Sequence, residues 1–106
     1  MIQFSFIIPV YNRPQEIKEL LESFKALTTS DAFEIVIIED GSTICSSEIV
    51  TLYKDVLDIS YYQKPNSGPG DSRNFGMSIA RGNYYIILDS DVLLPPDYLE
   101  HVSAFL

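Results

Sequence analysis

Cysteine is almost absent. Cys45 is the only one, so no internal disulfide can form, which fits a reducing compartment. It has no obvious histidine partner and reads as an incidental thiol rather than a nucleophile. Cations are scarce too: seven Lys and Arg stand against fifteen Asp and Glu, a formal charge of −8. The seven are scattered, which argues against nucleic acid as the partner, because phosphate backbones need clustered Lys and Arg. The acidity itself reads as solubility. No apolar run approaches the roughly 18 residues of a membrane span. The opening Met1-Ile2-Gln3-Phe4 lacks the basic start of a signal peptide and runs straight into a strand pattern. These absences point to a cytosolic protein.

What is present suits one small core. Hydrophobic residues make up 46% of 106 residues, too many for a disordered chain and too short a length for a second core. Strand and helix patterns alternate. Phe4 to Ile8 is β-rich and stops at Pro9. Asn12 is placed to cap a helix whose first turn takes Pro14, and Ile17, Leu20, Leu21 and Phe24 recur at helical spacing. Phe33 to Ile38 is a second strand, apolar except for Glu34, as for a strand covered on both faces. A second helix is expected around Glu48–Val56, with Ile49, Leu52, Tyr53 and Val56 inward. Ile59 to Tyr62 is a short third strand. The turn-rich loop Lys64–Gly70 leads to a helix from about Asp71 to Arg81, with Ser72, Phe75, Gly76 and Ile79 inward and Gly82 as its C-terminal cap. Tyr84 to Leu88 is a last, buried strand, and Pro95-Pro96-Asp97 opens a final helix that contains a solvent-facing His101. The order βαβαβαβα predicts an α/β fold: a mostly parallel sheet with helices on both faces.

Polar residues collect after strands one, two and four, which a parallel sheet brings to one edge. Asp89-Ser90-Asp91 follows the last apolar run. Two carboxylates with no cation beside them repel each other, so a divalent metal is the expected partner, and a metal there would hold phosphate. Asp40, in Glu39-Asp40-Gly41-Ser42, can accept hydrogen bonds from a nucleobase N–H or from sugar hydroxyls. Tyr11 offers an aromatic face on which a base can stack. Gly68 to Asn74 presents glycines and a helix N-terminus, a phosphate-friendly arrangement. It fits neither the dinucleotide-binding nor the P-loop glycine pattern. Arg73 is a candidate clamp on phosphate, or on Asp40 or Asp89.

Four ordered segments together resemble the inverting family 2 glycosyltransferases of the GT-A fold. They are Phe6 to Arg13, Ile35 to Thr43, Asn66-Ser67-Gly68 with Ser72 to Gly76, and Gly82 to Asp91. The resemblance implies a Rossmann-like, nucleotide-sugar-binding half. Pro9 and Tyr11 would flank the base beside Asn12, Asp40 would bind its polar edge, and Arg73 would sit near base and phosphates. Asp89 would contact the ribose or the metal shell, and Asp91 would coordinate Mn²⁺ or Mg²⁺. The partners implied are a nucleotide-sugar donor, most often UDP-linked, and a glycan or lipid-linked acceptor, with peripheral membrane association of the full protein at the inner membrane face. Glu39 replaces the family's usual Asp, and Pro69-Gly70 departs from its usual small or apolar residues.

The family usually needs roughly twice this length. Residues 1–106 are therefore expected to be the donor half, truncated at Leu106, with no catalytic base among them. Inactivity alone and self-association through an unfinished sheet edge are expected of such a piece. A flavodoxin-like phosphoryl-transfer domain and a non-catalytic nucleotide-binding remnant are the rival readings. The first needs a Lys after a later strand, and none follows Lys64.

Overall fold

A computed structural model describes residues 1–106. Each β-rich run becomes a strand of a single parallel sheet: β1 (Phe4–Val10), β2 (Phe33–Asp40), β3 (Ile59–Lys64) and β4 (Tyr84–Ile87), in the order β3-β2-β1-β4. The connecting helices are α1 (Pro14–Lys25), α2 (Ser47–Tyr53) and α3 (Pro69–Ile79), and α4 (Tyr98–Ala104) follows the last strand. The first two crossovers step outward from β1 to β3. The third steps back past β1 to β4. A common right hand therefore places its helix on the opposite face, and that is where α3 lies.

Strand side chains alternate between the two faces. Phe4, Phe6, Ile8 and Val10 of β1 join Ile35 and Ile37 of β2 on one face, closed by α1 through Ile17, Leu20, Leu21 and Phe24, by α2 through Val50 and Tyr53, and by Leu99 of α4. Each such side chain withdrawn from water contributes about 1.5–3 kcal/mol. Ile7, Val36 and Ile38 face the other way, against Met77, Ile79 and Ala80. Gly76 makes that second layer possible. A Cβ there would lie 2.6 Å from Ile7 Cγ2 and 2.9 Å from Ile38 Cδ1.

Glu34, the charge near the start of β2, is buried at the edge of the sheet where the strands begin. It accepts from the Ser5 hydroxyl (2.6 Å), the Arg81 backbone N–H (2.5 Å) and Arg81 Nε (3.0 Å). Arg81 also reaches Asp58. Burial pushes the Glu34 carboxyl up, but these donors outweigh it and hold its pKa below the ordinary value.

Several local expectations change. Helix α1 has Arg13 at its N-cap rather than Asn12, whose backbone is left-handed (φ 53°) and turns its side chain toward the loop after β2. Helix α2 ends at Tyr53, and its inner face carries Val50 and Tyr53. Leu52 and Val56 are 73% and 62% exposed, because the helix is too short to continue the assumed stripe. Helix α3 ends at Ile79 with an extended Ala80, so Gly82 is no cap. Its N–H donates to Ser5 Oγ at 2.8 Å, and a Cβ would collide with Ser5 Oγ and backbone. Phe75 is not interior. It packs edge-on against Tyr62 at the surface of α3. β4 is no buried strand, since it lies at the sheet edge. Tyr85 and Ile87 lie on the α3 side of the sheet, but α3 packs over β1 and β2, leaving them 46% and 41% exposed. His101 faces solvent as expected, beside Asp97.

Pro9 sits inside β1, a central strand, where the missing N–H would ordinarily break a ladder. Here it breaks none. The Ile7 carbonyl accepts from Leu88 N–H, so Ile7 addresses β4. Pro9, two residues on, faces the same side, where pairing has already stopped at Ile7–Ile87. Gly76→Ala is expected to lower stability by about 1–3 kcal/mol through overpacking against Ile7 and Ile38, read as a reduced midpoint in urea with an unchanged slope.

Candidate functional site

The sheet reverses its strand order between β1 and β4, and ligands of open α/β sheets bind outside the strand C-termini at such a switch point. Tyr11 and Asn12 leave β1 on one side of this crevice, and Asp89 and Asp91 leave β4 on the other. Asp40 ends β2, one strand further in. The three polar clusters thus share one edge, as the strand pattern predicts.

Asp40 is the most constrained of them. Only 6% of its side chain is exposed. Its Oδ1 accepts from Lys64 Nζ (2.6 Å) and Ser67 N–H (2.8 Å), and its Oδ2 from Gly68 N–H (2.9 Å). Lys64 is its register partner on β3. Burial raises the Asp40 pKa, but the Lys64 hydrogen bond, the two amides and the Lys64 charge more than offset it, and the net value falls below 3.8. The carboxyl is therefore an acceptor throughout the neutral range. The Ser67 and Gly68 amides point at Asp40, so those two are not offered to an incoming phosphate.

Glu39 faces the opposite layer and does for the loop after β2 what Asp40 does for the loop after β3. It accepts from the Ser42 hydroxyl, from Ser46 N–H (2.6 Å) and from Tyr61 OH (3.1 Å). Ser42 Oγ in turn accepts Asn12 N–H at 2.9 Å, and Asn12 Oδ1 accepts Thr43 and Ile44 N–H at 2.8 and 3.0 Å. Asn12 therefore works within the site as a fastener between two loops, its acceptor oxygen already engaged. Tyr11 beside it is 52% exposed. Pro9 is half-buried beneath them.

Arg73 lies half-buried on the first turns of α3 and makes no side-chain hydrogen bond or ion pair. The clamp on Asp40 is Lys64 instead, and Arg73 is free for a ligand. Asp89 and Asp91 are exposed and also without partners. No third His, Cys, Asp or Glu joins them into a metal cage. That donor set fits Mg²⁺ or Mn²⁺ held in part by substrate: such ions commonly take one or two carboxylates and complete their shell with phosphate and water. A polar hollow of about 230 Å³ beside Ser42, Cys45, Gln63 and Lys64 lies between the β2 and β3 ends, away from the crevice, and is smaller than most ligand sites.

The family model "Glycosyl transferase family 2" matches residues 5–106. The chain belongs to this family. Its flavodoxin-like rival is thereby set aside. An uncharacterized glycosyltransferase of Rickettsia felis is 45% identical over 102 residues, covering 96% of this chain and 17% of that protein. The poly(ribitol-phosphate) beta-N-acetylglucosaminyltransferase TarS of Staphylococcus aureus is 34% identical over the whole chain and 19% of its own length. The crystal structure of TarS residues 1–349 in complex with UDP-GlcNAc superimposes with a TM-score of 0.90 at 34% identity, over 98% of this chain and 31% of that one. The mannosyltransferase PcManGT from Pyrobaculum calidifontis, in complex with GDP-Man and Mn²⁺, is 23% identical with a TM-score of 0.79, over 88% of this chain and 28% of that one, and shares the fold. The chain thus spans about a fifth of the length of its curated relatives.

Within this family 2 chain, sequence reasoning passed over Lys64, Ser42, Ser67 and the structural work of Glu39. The clue for Lys64 was available: in parallel register, the residue closing β3 falls opposite the residue closing β2.

The Asp40 shift has a sign. Its folded pKa lies below 3.8, so the stability it contributes is complete above that value and is lost as pH falls through the folded pKa. Asp40→Asn is expected to cost about 3 kcal/mol at pH 7, from a broken buried pair. The gap from wild type should shrink as thermal melts are moved from pH 7 toward pH 2.

Proposed function

We propose that this family 2 member takes part in transferring a sugar from a UDP-linked donor to a glycan or lipid-linked acceptor with inversion, and that residues 1–106 supply the donor half of the site. One observation carries the reading: Asp40, ionised and nearly enclosed at the switch edge, has three of its about four acceptor positions filled and one left, at the end of the strand that pairs with β1, which leads into Tyr11. The N–H of uracil, flanked by two carbonyls, suits that open position. Cytosine and adenine present a ring acceptor next to their amine and would set a lone pair against the carboxylate. A TarS structure holding UDP-GlcNAc at 34% identity supports the same choice.

In this proposal Tyr11 stacks on the base, Asp40 accepts its N–H, and Arg73 donates to base carbonyl or phosphate. Asp89 and Asp91 are the residues that would hold Mn²⁺ or Mg²⁺, which would supply positive charge against the negative charge on a departing nucleoside diphosphate. The acceptor hydroxyl attacks the anomeric carbon from the face opposite the leaving group. No residue of this chain is assigned as its base. No helix of the chain is long and apolar enough to cross a membrane; in this proposal the transfer takes place in the cytoplasm, with lipid-linked acceptors met at the membrane surface. The exposed edge of β4 favours self-association of the isolated chain.

Titration calorimetry of the chain with UDP, with and without Mn²⁺, tests the reading. Binding should strengthen with the ion. Asp91→Ala should abolish that increment, and Asp40→Asn should weaken UDP about 10- to 100-fold, the value of a charge-assisted hydrogen bond. Binding indifferent to Mn²⁺ would favour a non-catalytic nucleotide-binding remnant. No binding to a folded sample would end the proposal.

A further inference from the structure

We propose that Lys64 sets the nucleobase preference of the site by occupying the carboxylate capacity that guanine would need. This rests on the UDP reading above and adds a residue responsible for it. A carboxylate offers about four lone-pair positions. On Asp40, Lys64 Nζ and Ser67 N–H fill both on Oδ1, and Gly68 N–H fills one on Oδ2. One position is left. Uracil brings one N–H between two carbonyls and matches it. Guanine brings two adjacent donors, the ring N–H and the exocyclic amine. The second would meet a saturated oxygen and remain unpaired where little water can reach it.

Lys64 takes away an acceptor without offering a donor in exchange. Its three N–H groups are consumed by Asp40 Oδ1, the Pro65 carbonyl (3.1 Å) and the Ser67 hydroxyl. Its side chain is only 16% exposed. The ammonium cannot swing to a base carbonyl without giving up one of these. It acts on the base through Asp40, as a positioning residue.

The loop that carries Ser67 and Gly68 is also held without Lys64. Asn66 Nδ2 donates to the Asp40 carbonyl at 3.0 Å. Gly41, at φ +71°, lets Asn66 lie so close that a Cβ would stand 2.7 Å from Asn66 Cβ and N. Removing the ammonium therefore frees one lone pair on Oδ1 while the two amides stay in place. The carboxylate then has an open position on each oxygen, the fork that two adjacent donors require.

Calorimetry with UDP and with GDP, both in Mn²⁺, on wild type, Lys64→Met and Lys64→Arg tests this. Wild type should prefer UDP by about 10- to 100-fold, the penalty of one unpaired donor. Lys64→Met should reduce that preference about tenfold or more, with GDP gaining in absolute affinity. Lys64→Arg, which refills Oδ1, should restore it. Circular dichroism verifies the fold, and Lys64→Leu, which likewise has no donor, replaces the Met variant if that one unfolds. A folded Lys64→Met that weakens both nucleotides equally, leaving the ratio unchanged, overturns the role of Lys64 and spares the UDP reading. Wild type that binds no UDP, or prefers GDP, overturns both.

Discussion

The carboxylate of Asp40 is the point on which the functional edge depends. A charge that is almost wholly buried has to be compensated in place, by a cation and by hydrogen bonds. Lys64, Ser67 and Gly68 do this, and in doing so they fix the course of a loop rich in glycine, proline and serine that has little packing of its own. Glu39, one residue earlier, points to the opposite layer and recruits Ser42, Ser46 and Tyr61. Because neighbouring residues of a strand face opposite ways, two consecutive acids at the end of one strand anchor loops on both sides of the sheet. The Glu39 side chain meets donors from both the loop and β3.

The layout of the site follows from handedness. Two crossovers move away from β1 and one moves back, so the sheet has its reversal beside β1, and the polar ends of β1 and β4 part there. α3, forced to the other face, has to come close to deliver Arg73 toward the same edge. Gly76 permits that approach. The core and the site are thus parts of one constraint: the helix that covers Ile7, Val36 and Ile38 is also the one that presents the guanidinium.

The alternation of strands and helices was legible because it rests on local period, and so were the acidic clusters at strand ends. What escaped was decided across distance. Asn12 has the chemistry of a helix cap, but a left-handed backbone turned it to the loop 30 residues on. The interior face of α2 depended on where the helix stopped, and a stripe extended to Val56 outran it. The run from Tyr84 to Leu88 is apolar enough for a buried strand, yet burial is a property of neighbours, and at the edge of the sheet it has few. Gly82 has the chemistry of a helix terminator, yet its smallness serves the close approach of the Ser5 backbone. The pairing of Lys64 with Asp40 needed the register of two strands.

Pro9 gives the crevice a permanence that hydrogen bonding alone would not. Beyond Ile7 the β4 side of the central strand has no amide to offer, so pairing cannot propagate upward into the space between Tyr11 and Asp89. The gap is written into the covalent structure of the chain, as a ring where a donor would be. Whatever else the loops do, the two strands cannot zip closed over the place where a ligand would enter.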